Sequence, residues 1–254
     1  MKQKVKNEEY LAQLKLNFFT NVSHELRTPL TLITGPLEII LKNEVLSDKL
    51  KRSLNMIKKN SDRMQRLVGQ ILDFSKIQDN KMRLRVQRIN IVSFTQDIVG
   101  HFMGIATERH ITLTFSPAFP SCYLWFDEDK IEKVIFNLLS NAFKYTRKGS
   151  IDLIIRDAVD NNIEYIEIEV RDTGKGISEQ SISKIFDRYY QADIDGQVSG
   201  TGIGLALVKN LVQIHQGEVF VNSKSGEGTS FRFRLQADNT YPQALHLNSE
   251  EAVV

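Results

Sequence analysis

Two successive apolar stripes with helical spacing constrain the first third of this chain. Apolar residues fall at Phe19, Val22, Leu26, Leu30, Ile33, Leu37 and Ile40, and again at Leu50, Leu54, Ile57, Met64, Leu67, Ile71 and Phe74. Steps of three and four mark one face of an α-helix, and only Ser61 interrupts the second stripe. The short polar connection 43–48 turns the two helices back on each other as an antiparallel hairpin. Two helices cannot enclose a core. The need to bury both seams therefore predicts a second copy, a homodimer whose two hairpins form a four-helix bundle.

After about Arg88 the period changes. Residues 111–115 and 230–235 alternate strictly, and 151–155 and 163–170 alternate around an Asp160-Asn161-Asn162 turn, which predicts strands and a hairpin. Helical stretches are expected near 92–108, 127–146, 178–186 and 203–216. The fold class is α+β, a helical hairpin followed by an α/β sandwich. The expected domains are 1–88 (hairpin), 89–236 (sandwich) and 237–254, which loses periodicity and reads as tail or linker. The 254 residues, 41% hydrophobic and 25% charged, suffice for two cores.

Charge follows the same division. Residues 1–89 hold 18 Lys and Arg against 9 Asp and Glu, and the remainder 15 against 22. A basic first third reads either as a solvated helical face or as a surface for an acidic partner; nucleic-acid binders usually concentrate more charge. Cys122 stands alone, which excludes an intramolecular disulfide and a cysteine-type zinc site. No apolar run approaches the roughly 20 residues that cross a bilayer, and the first residues are too charged for a signal peptide. Neither membrane contact nor nucleic acid is expected.

The residues that carry chemistry lie in short clusters. On the first helix His24 stands about 200° from both Val22 and Leu26, so its imidazole projects away from the seam. Alone it would be an incidental surface histidine. However, Pro29 lacks the N–H that would bond the carbonyl of Glu25, which places a kink beside it, and Thr28 shares its face one turn on. About three-quarters of an exposed imidazole is neutral at pH 7 and nucleophilic, and Glu25 can hold the proton of the other ring nitrogen. Such a site would accept a phosphoryl group. Gly35-Pro36 adds a second expected break in this helix.

Asn137 and Asn141 stack one turn apart on another helix, with Lys144 and Tyr145 following. Amide oxygens suit Mg²⁺, and an ammonium offsets phosphate charge. Asp172-Thr-Gly174-Lys-Gly176 ends a strand, where a buried carboxylate can accept from an exocyclic amine and glycines admit a flat base. Gly200-Thr201-Gly202-Ile-Gly204-Leu205 opens a helix whose free N–H groups suit a polyphosphate. Nine of the 14 glycines lie between Gly174 and Gly228, more than turns alone require. Each cluster alone is a weak signal; in this order within one α/β unit they are jointly specific.

These clusters resemble the sensor histidine kinases of two-component signalling. SHELRTPLT is similar to their H box, NLLSNAFKYT to the N box, DTGKGI and GTGIGLALV to the two glycine boxes, and FDRYYQ to the F box, over about residues 10–236. The resemblance implies a dimerisation and phosphotransfer hairpin followed by a Bergerat-type ATP-binding domain, with an ATP lid between Gly176 and Gly200. It implies His24 as phosphoacceptor, Glu25 as its acid/base partner, and Thr28 as the residue positioning water when a partner is dephosphorylated. It implies Asn141 as Mg²⁺ ligand, Asn137, Lys144 and Tyr145 near the phosphates, and Asp172 reading adenine. Gly174, Gly176, Gly200, Thr201, Gly202, Gly204 and Leu205 would shape pocket and lid, Thr229 would reach the base, and Phe186 would anchor the lid.

ATP and Mg²⁺ are the implied cofactors. The implied partner is a response-regulator receiver domain, in the same parent chain or separate, whose acidic pocket suits the basic hairpin. The implied location is the cytoplasmic part of a membrane-bound sensor. His101, His110, His215 and His246 match no acceptor motif and read as structural or surface residues. One alternative is an ATP-hydrolysing clamp of the gyrase, chaperone and mismatch-repair type, but there a glutamate stands where this chain has Asn137, a poor base. A non-catalytic dimeric scaffold is the other.

Overall fold

The structure is a computed structural model that describes residues 26, 30–41, 47, 50–58, 60, 61, 64, 68, 69, 73, 82–187, 190, 202–239, 241 and 244–246. The chain divides into two compact units, Met1–Met82 and Arg83–Val254.

In the first unit, residues 30–41 (α1) and 50–58 (α2) are helical, as are Asn60, Ser61, Met64, Val68, Gly69 and Asp73 further on. Helix α1 runs through Gly35 and Pro36 without the expected break. The two helical stretches touch: Glu38 and Lys58 form an ion pair at 3.2 Å, and the Thr34 and Ser61 hydroxyls lie 2.9 Å apart. Both hydroxyls donate to the Leu30 carbonyl, at 2.8 and 3.4 Å. Ser61 is 4% exposed. The interrupted stripe thus marks a polar pair buried in the seam, where each hydroxyl needs a partner. Leu30, Leu37 and Val68 are buried, whereas Ile33, Ile40, Leu50, Ile57 and Met64 remain exposed.

The second unit is a mixed five-stranded sheet in the order β2-β4-β5-β7-β6 with helices on one face. Its elements begin with β1 (Arg85–Asn90), α3 (Ile91–Arg109), β2 (Ile111–Pro117), β3 (Tyr123–Phe126) and α4 (Glu128–Tyr145). Strands β4 (Gly149–Asp160) and β5 (Ile163–Asp172) form the expected hairpin. Asn161 and Asn162 both take positive φ, 51° and 64°, as a two-residue type I′ turn requires. Then come α5 (Glu179–Ile182), α6 (Gly204–Ile214), β6 (Glu218–Lys224), β7 (Gly228–Gln236) and β8 (Leu245–His246). Strand alternation sends Ile151, Leu153, Ile155, Ile168, Val170, Phe231, Phe233 and Leu235 to the helix side. There they meet the buried stripes of α4 and α6, including Ile131, Leu138, Leu139, Leu207 and Leu211.

Three expectations change. The boundary falls after Met82, not Arg88, because β1 pairs with β3 and buries Leu84 and Val86. Its arginines had grouped it with the basic half. Within the tail expected over 237–254 the described residues are held in place: Tyr241 is 3% exposed, packs with Leu84 and Val86, and donates from Oη to the His215 carbonyl at 3.0 Å. Beyond it β8 pairs parallel to β1, and the two form a small second sheet with β3. The helix expected over 178–186 shrinks to the single turn α5, whose serine hydroxyls bond each other, Ser178 Oγ donating to Ser181 Oγ at 2.9 Å. Strands β1, β3, β6 and β8 lacked enough alternation to be read. His215 is fully buried, its Nδ1 donating to the Leu211 carbonyl at 2.7 Å and its Nε2 accepting from Asp127 N–H at 3.2 Å. His110 caps α3 with φ 54°.

Candidate functional site

The sequence clusters meet where β5 ends, α4 ends and α6 begins. Asp172 is the last residue of β5 and pairs in register with Thr229 on β7. It is 6% exposed, and one carboxylate oxygen accepts from Gly174 N–H at 2.8 Å. Burial pushes its pKa up, and the Gly174 amide among others works against that rise. The result is a carboxylate kept from water at the end of a rigid strand.

Gly174 joins this strand end to α4. A Cβ there would lie 2.6 Å from the Tyr145 carbonyl oxygen and 2.7 Å from an Asp172 carboxylate oxygen, so no side chain fits. Gly176, with φ 68°, and Gly228, with φ 101°, are equally closed: added Cβ atoms would lie 2.0 Å from the Lys224 and Asp172 carbonyl oxygens. Thr229 is 7% exposed and its hydroxyl lies 2.9 Å from Ser223 Oγ. Ser223 Oγ also donates to the Gly228 carbonyl at 2.8 Å and accepts from Ile177 N–H at 2.8 Å. The loop after Asp172 is therefore tied to the β6–β7 turn.

On α4, Asn137 Nδ2 donates to the Lys133 carbonyl at 2.7 Å. That turns its oxygen toward the start of α6, where a Cβ on Gly204 would come within 3.0 Å of it. Asn141 is half-buried one turn later. Lys144 Nζ donates to Tyr145 Oη at 2.9 Å and lies 4.7 Å from the ring centre, while Lys175 Nζ lies 5.3 Å from the same ring. Two ammonium groups on one aromatic ring concentrate positive charge beside Asp172 and Gly174. Gly202 has φ 67°, and Ile203, which caps α6, has no side chain able to bond the first-turn N–H groups. Leu205 follows inside α6, half-buried. Phe186 packs edge-on against Phe231, ring centres 6.3 Å apart.

Thus Asn137, Asn141, Lys144, Tyr145, Asp172, Gly174, Gly176, Gly202, Gly204, Leu205 and Thr229 are placed on the elements surrounding this junction. His24, Glu25, Thr28, Gly200 and Thr201 lie outside the described residues. Sequence reasoning missed three neighbours: Thr146, 2% exposed beside Asp172; Lys175; and Ser223. Thr146 and Lys175 stood inside clusters already singled out, whereas Ser223 reaches the site only through its register with Thr229.

A helical hairpin followed by an ATPase-type α/β domain is the class this architecture defines. Residues 126–239 match the family described as histidine kinase-, DNA gyrase B- and HSP90-like ATPase, and residues 14–80 match the His Kinase A (phospho-acceptor) domain. Histidine kinase P4 of Formosa agariphila is 37% identical over 253 residues, 98% of this chain and 18% of that protein. Sensor histidine kinase WalK of Bacillus subtilis is 34% identical over 234 residues, 91% of this chain and 38% of that one. The chain thus spans well under half the length of these relatives. Among solved structures, full-length ShkA in complex with AMPPNP has a TM-score of 0.70 at 26% identity, over 87% of this chain and 46% of that one. The chain belongs to the sensor histidine kinase family, whose catalytic core it carries as a phospho-acceptor hairpin and an ATP-binding domain. The phospho-acceptor match favours this over the gyrase-type clamp.

Proposed function

We propose that the chain is a protein-histidine kinase core that transfers the γ-phosphoryl group of ATP to His24 and passes it to an aspartate of a response-regulator receiver. The observation that carries this reading is the closed junction at Asp172 and Gly174. A buried carboxylate, a backbone with no room for a side chain, an aromatic ring and two ammonium groups suit an adenine nucleotide. Asp172 accepts from the adenine amine, with Thr229 beside it. Lys144, Tyr145 and the N–H groups at the start of α6 would face the phosphates, while Gly174, Gly176, Gly200, Thr201, Gly202, Gly204 and Leu205 would shape the pocket and lid. Asn141, with Asn137 beside it, would hold Mg²⁺, which supplies neutralisation of phosphate charge.

In the transfer, a neutral ring nitrogen of His24 forms a P–N bond as the P–O bond to ADP breaks, and Glu25 takes the proton of the other ring nitrogen. The chain positions the groups and neutralises charge. Thr28 orients water for dephosphorylation of the receiver. The exposed apolar residues of the first unit support a homodimer, and its basic charge supports an acidic receiver as partner. Among the described residues no helix is long and apolar enough to cross a membrane. We place this core on the cytoplasmic side of a membrane-bound sensor.

The test is incubation with Mg²⁺ and γ-labelled ATP. The expected label is acid-labile and alkali-stable, and absent in both His24→Ala and Asn141→Asp. Label surviving His24→Ala overturns the acceptor assignment. Steady phosphate release without label moves the reading to an ATPase.

A further inference from the structure

On the face of the five-stranded sheet away from the helices, side chains of β4, β5, β6 and β7 enclose a depression of about 380 Å³. It is lined by Arg156, Glu169, Arg171, Asn222, Ser230 and Arg232. Alternation along β5 separates it from the nucleotide junction: Asp172 points to the helix side, Glu169 and Arg171 to the other. Beneath the arginines lie two carboxylates almost wholly removed from water, Glu167 and Glu169, 6% and 3% exposed.

These acids orient the bases. Arg156 donates from Nε to Glu167 at 2.9 Å, bonds the same oxygen through Nη2, and pairs with Glu169 at 3.0 Å through Nη1. Arg171 places both Nε and Nη2 on one Glu169 oxygen, at 3.1 and 2.8 Å, which fixes its plane and leaves Nη1 unused there. Arg232 approaches Glu167 only to 3.6 Å and lies over the Phe220 ring at 5.6 Å. Ser230 Oγ adds a third hydrogen bond to Glu169 at 2.7 Å. Burial alone would raise the Glu169 pKa; the Ser230 hydroxyl and the Arg171 and Arg156 guanidiniums outweigh it and hold the group ionised.

The three guanidiniums stand over two buried carboxylates, and Asp152, half-buried opposite Arg171 in the register, has one oxygen taken by the Thr114 hydroxyl. A ladder serving only to keep an open sheet face wet does not need two buried acids. Buried acids that lock arginines in place hold guanidinium forks ready for an incoming group. We propose that this depression binds a tetrahedral oxyanion of phosphate chemistry, free phosphate or a phosphate monoester, between Arg171 and Arg232 with Arg156 behind them. Three forks around one depression match the three oxygens of a phosphoryl group, whereas a carboxylate offers two in one plane.

The test follows the arginine Nε–H resonances of the full chain by NMR while inorganic phosphate, ribose 5-phosphate, acetate and a short glutamate peptide are titrated separately at constant ionic strength. Saturable shifts of Arg171 and Arg232 are expected with either phosphate or ester, the tighter of the two identifying the source. An Arg171→Gln, Arg232→Gln double variant, followed on the remaining Arg156 Nε–H, should bind at least about tenfold more weakly. Arg156 is kept, because its loss would strand both buried carboxylates. Three results overturn the proposal: no saturable shift, a shift unchanged in the double variant, or saturation by the peptide alone.

Discussion

Asp172 costs the empty protein stability for the sake of its ligand. Its carboxyl is held above the ordinary value chiefly by burial, so the folded state binds a proton more readily than the unfolded one. Its favourable contribution is therefore present below the unfolded value and lost as pH rises through the folded one. Asp172→Asn should raise the thermal midpoint of the unliganded chain at pH 7.5 while weakening ATP binding roughly 10- to 100-fold, checked by melting curves and titration calorimetry. His215 runs the other way. Burial lowers its pKa to about 4, so it folds neutral, and protonation of the unfolded chain removes stability as pH falls from 6.5 toward 4. That is worth about 3 kcal/mol. Denaturation at pH 7 and pH 4.5 should show this loss in the parent chain and a flatter profile in His215→Gln. At this scale the sequence exposed the residues whose type and local spacing carry chemistry. Ser223, Glu167 and Glu169 stayed hidden because their roles depend on strand register, which spacing along the chain does not contain.

Helix α4 carries two jobs on adjoining faces. Ile131, Val134, Ile135, Leu138, Leu139, Ala142 and Phe143 are buried, and Asn137 and Asn141 occupy the remainder. Eighteen residues with a clear period made this helix legible to within a residue. Strand β3, four residues long and apolar throughout, and β6, whose burial barely alternates, gave no comparable signal. Leu138 is fully buried, so Leu138→Ala should cost roughly 2–5 kcal/mol in urea denaturation. Because α4 sets both core and site, nucleotide affinity should fall with it, in contrast to Asn141→Asp, which should lose binding without losing stability.

For the whole molecule, the decisive fact is unburied apolar surface in the first unit. Ile33 is 45% exposed and Ile57 48%. Residues at regular helical spacing that find no cover within one chain are expected to find it in another. Sedimentation equilibrium should give a dimer, and Ile33→Lys with Ile57→Lys should give a monomer whose second unit still binds ATP. The two-unit division was legible because hydrophobic period and charge change sign together, and the boundary was misplaced by six residues because β1 carries the charge of one unit and the pairing of the other.

The pairing of β8 with β1 also has a mechanical side. The two strands are parallel neighbours, with Leu245 N–H donating to the Leu84 carbonyl at 2.9 Å and Tyr241 wedged beneath them. Tension between the chain leading into β1 and the chain leaving β8 pulls such strands past each other, loading the contacts together instead of peeling them one at a time. The ATP-binding unit is thus clamped between its incoming and outgoing chain, and a pull on either is borne at the edge of β1 before it reaches the sheet that holds the nucleotide.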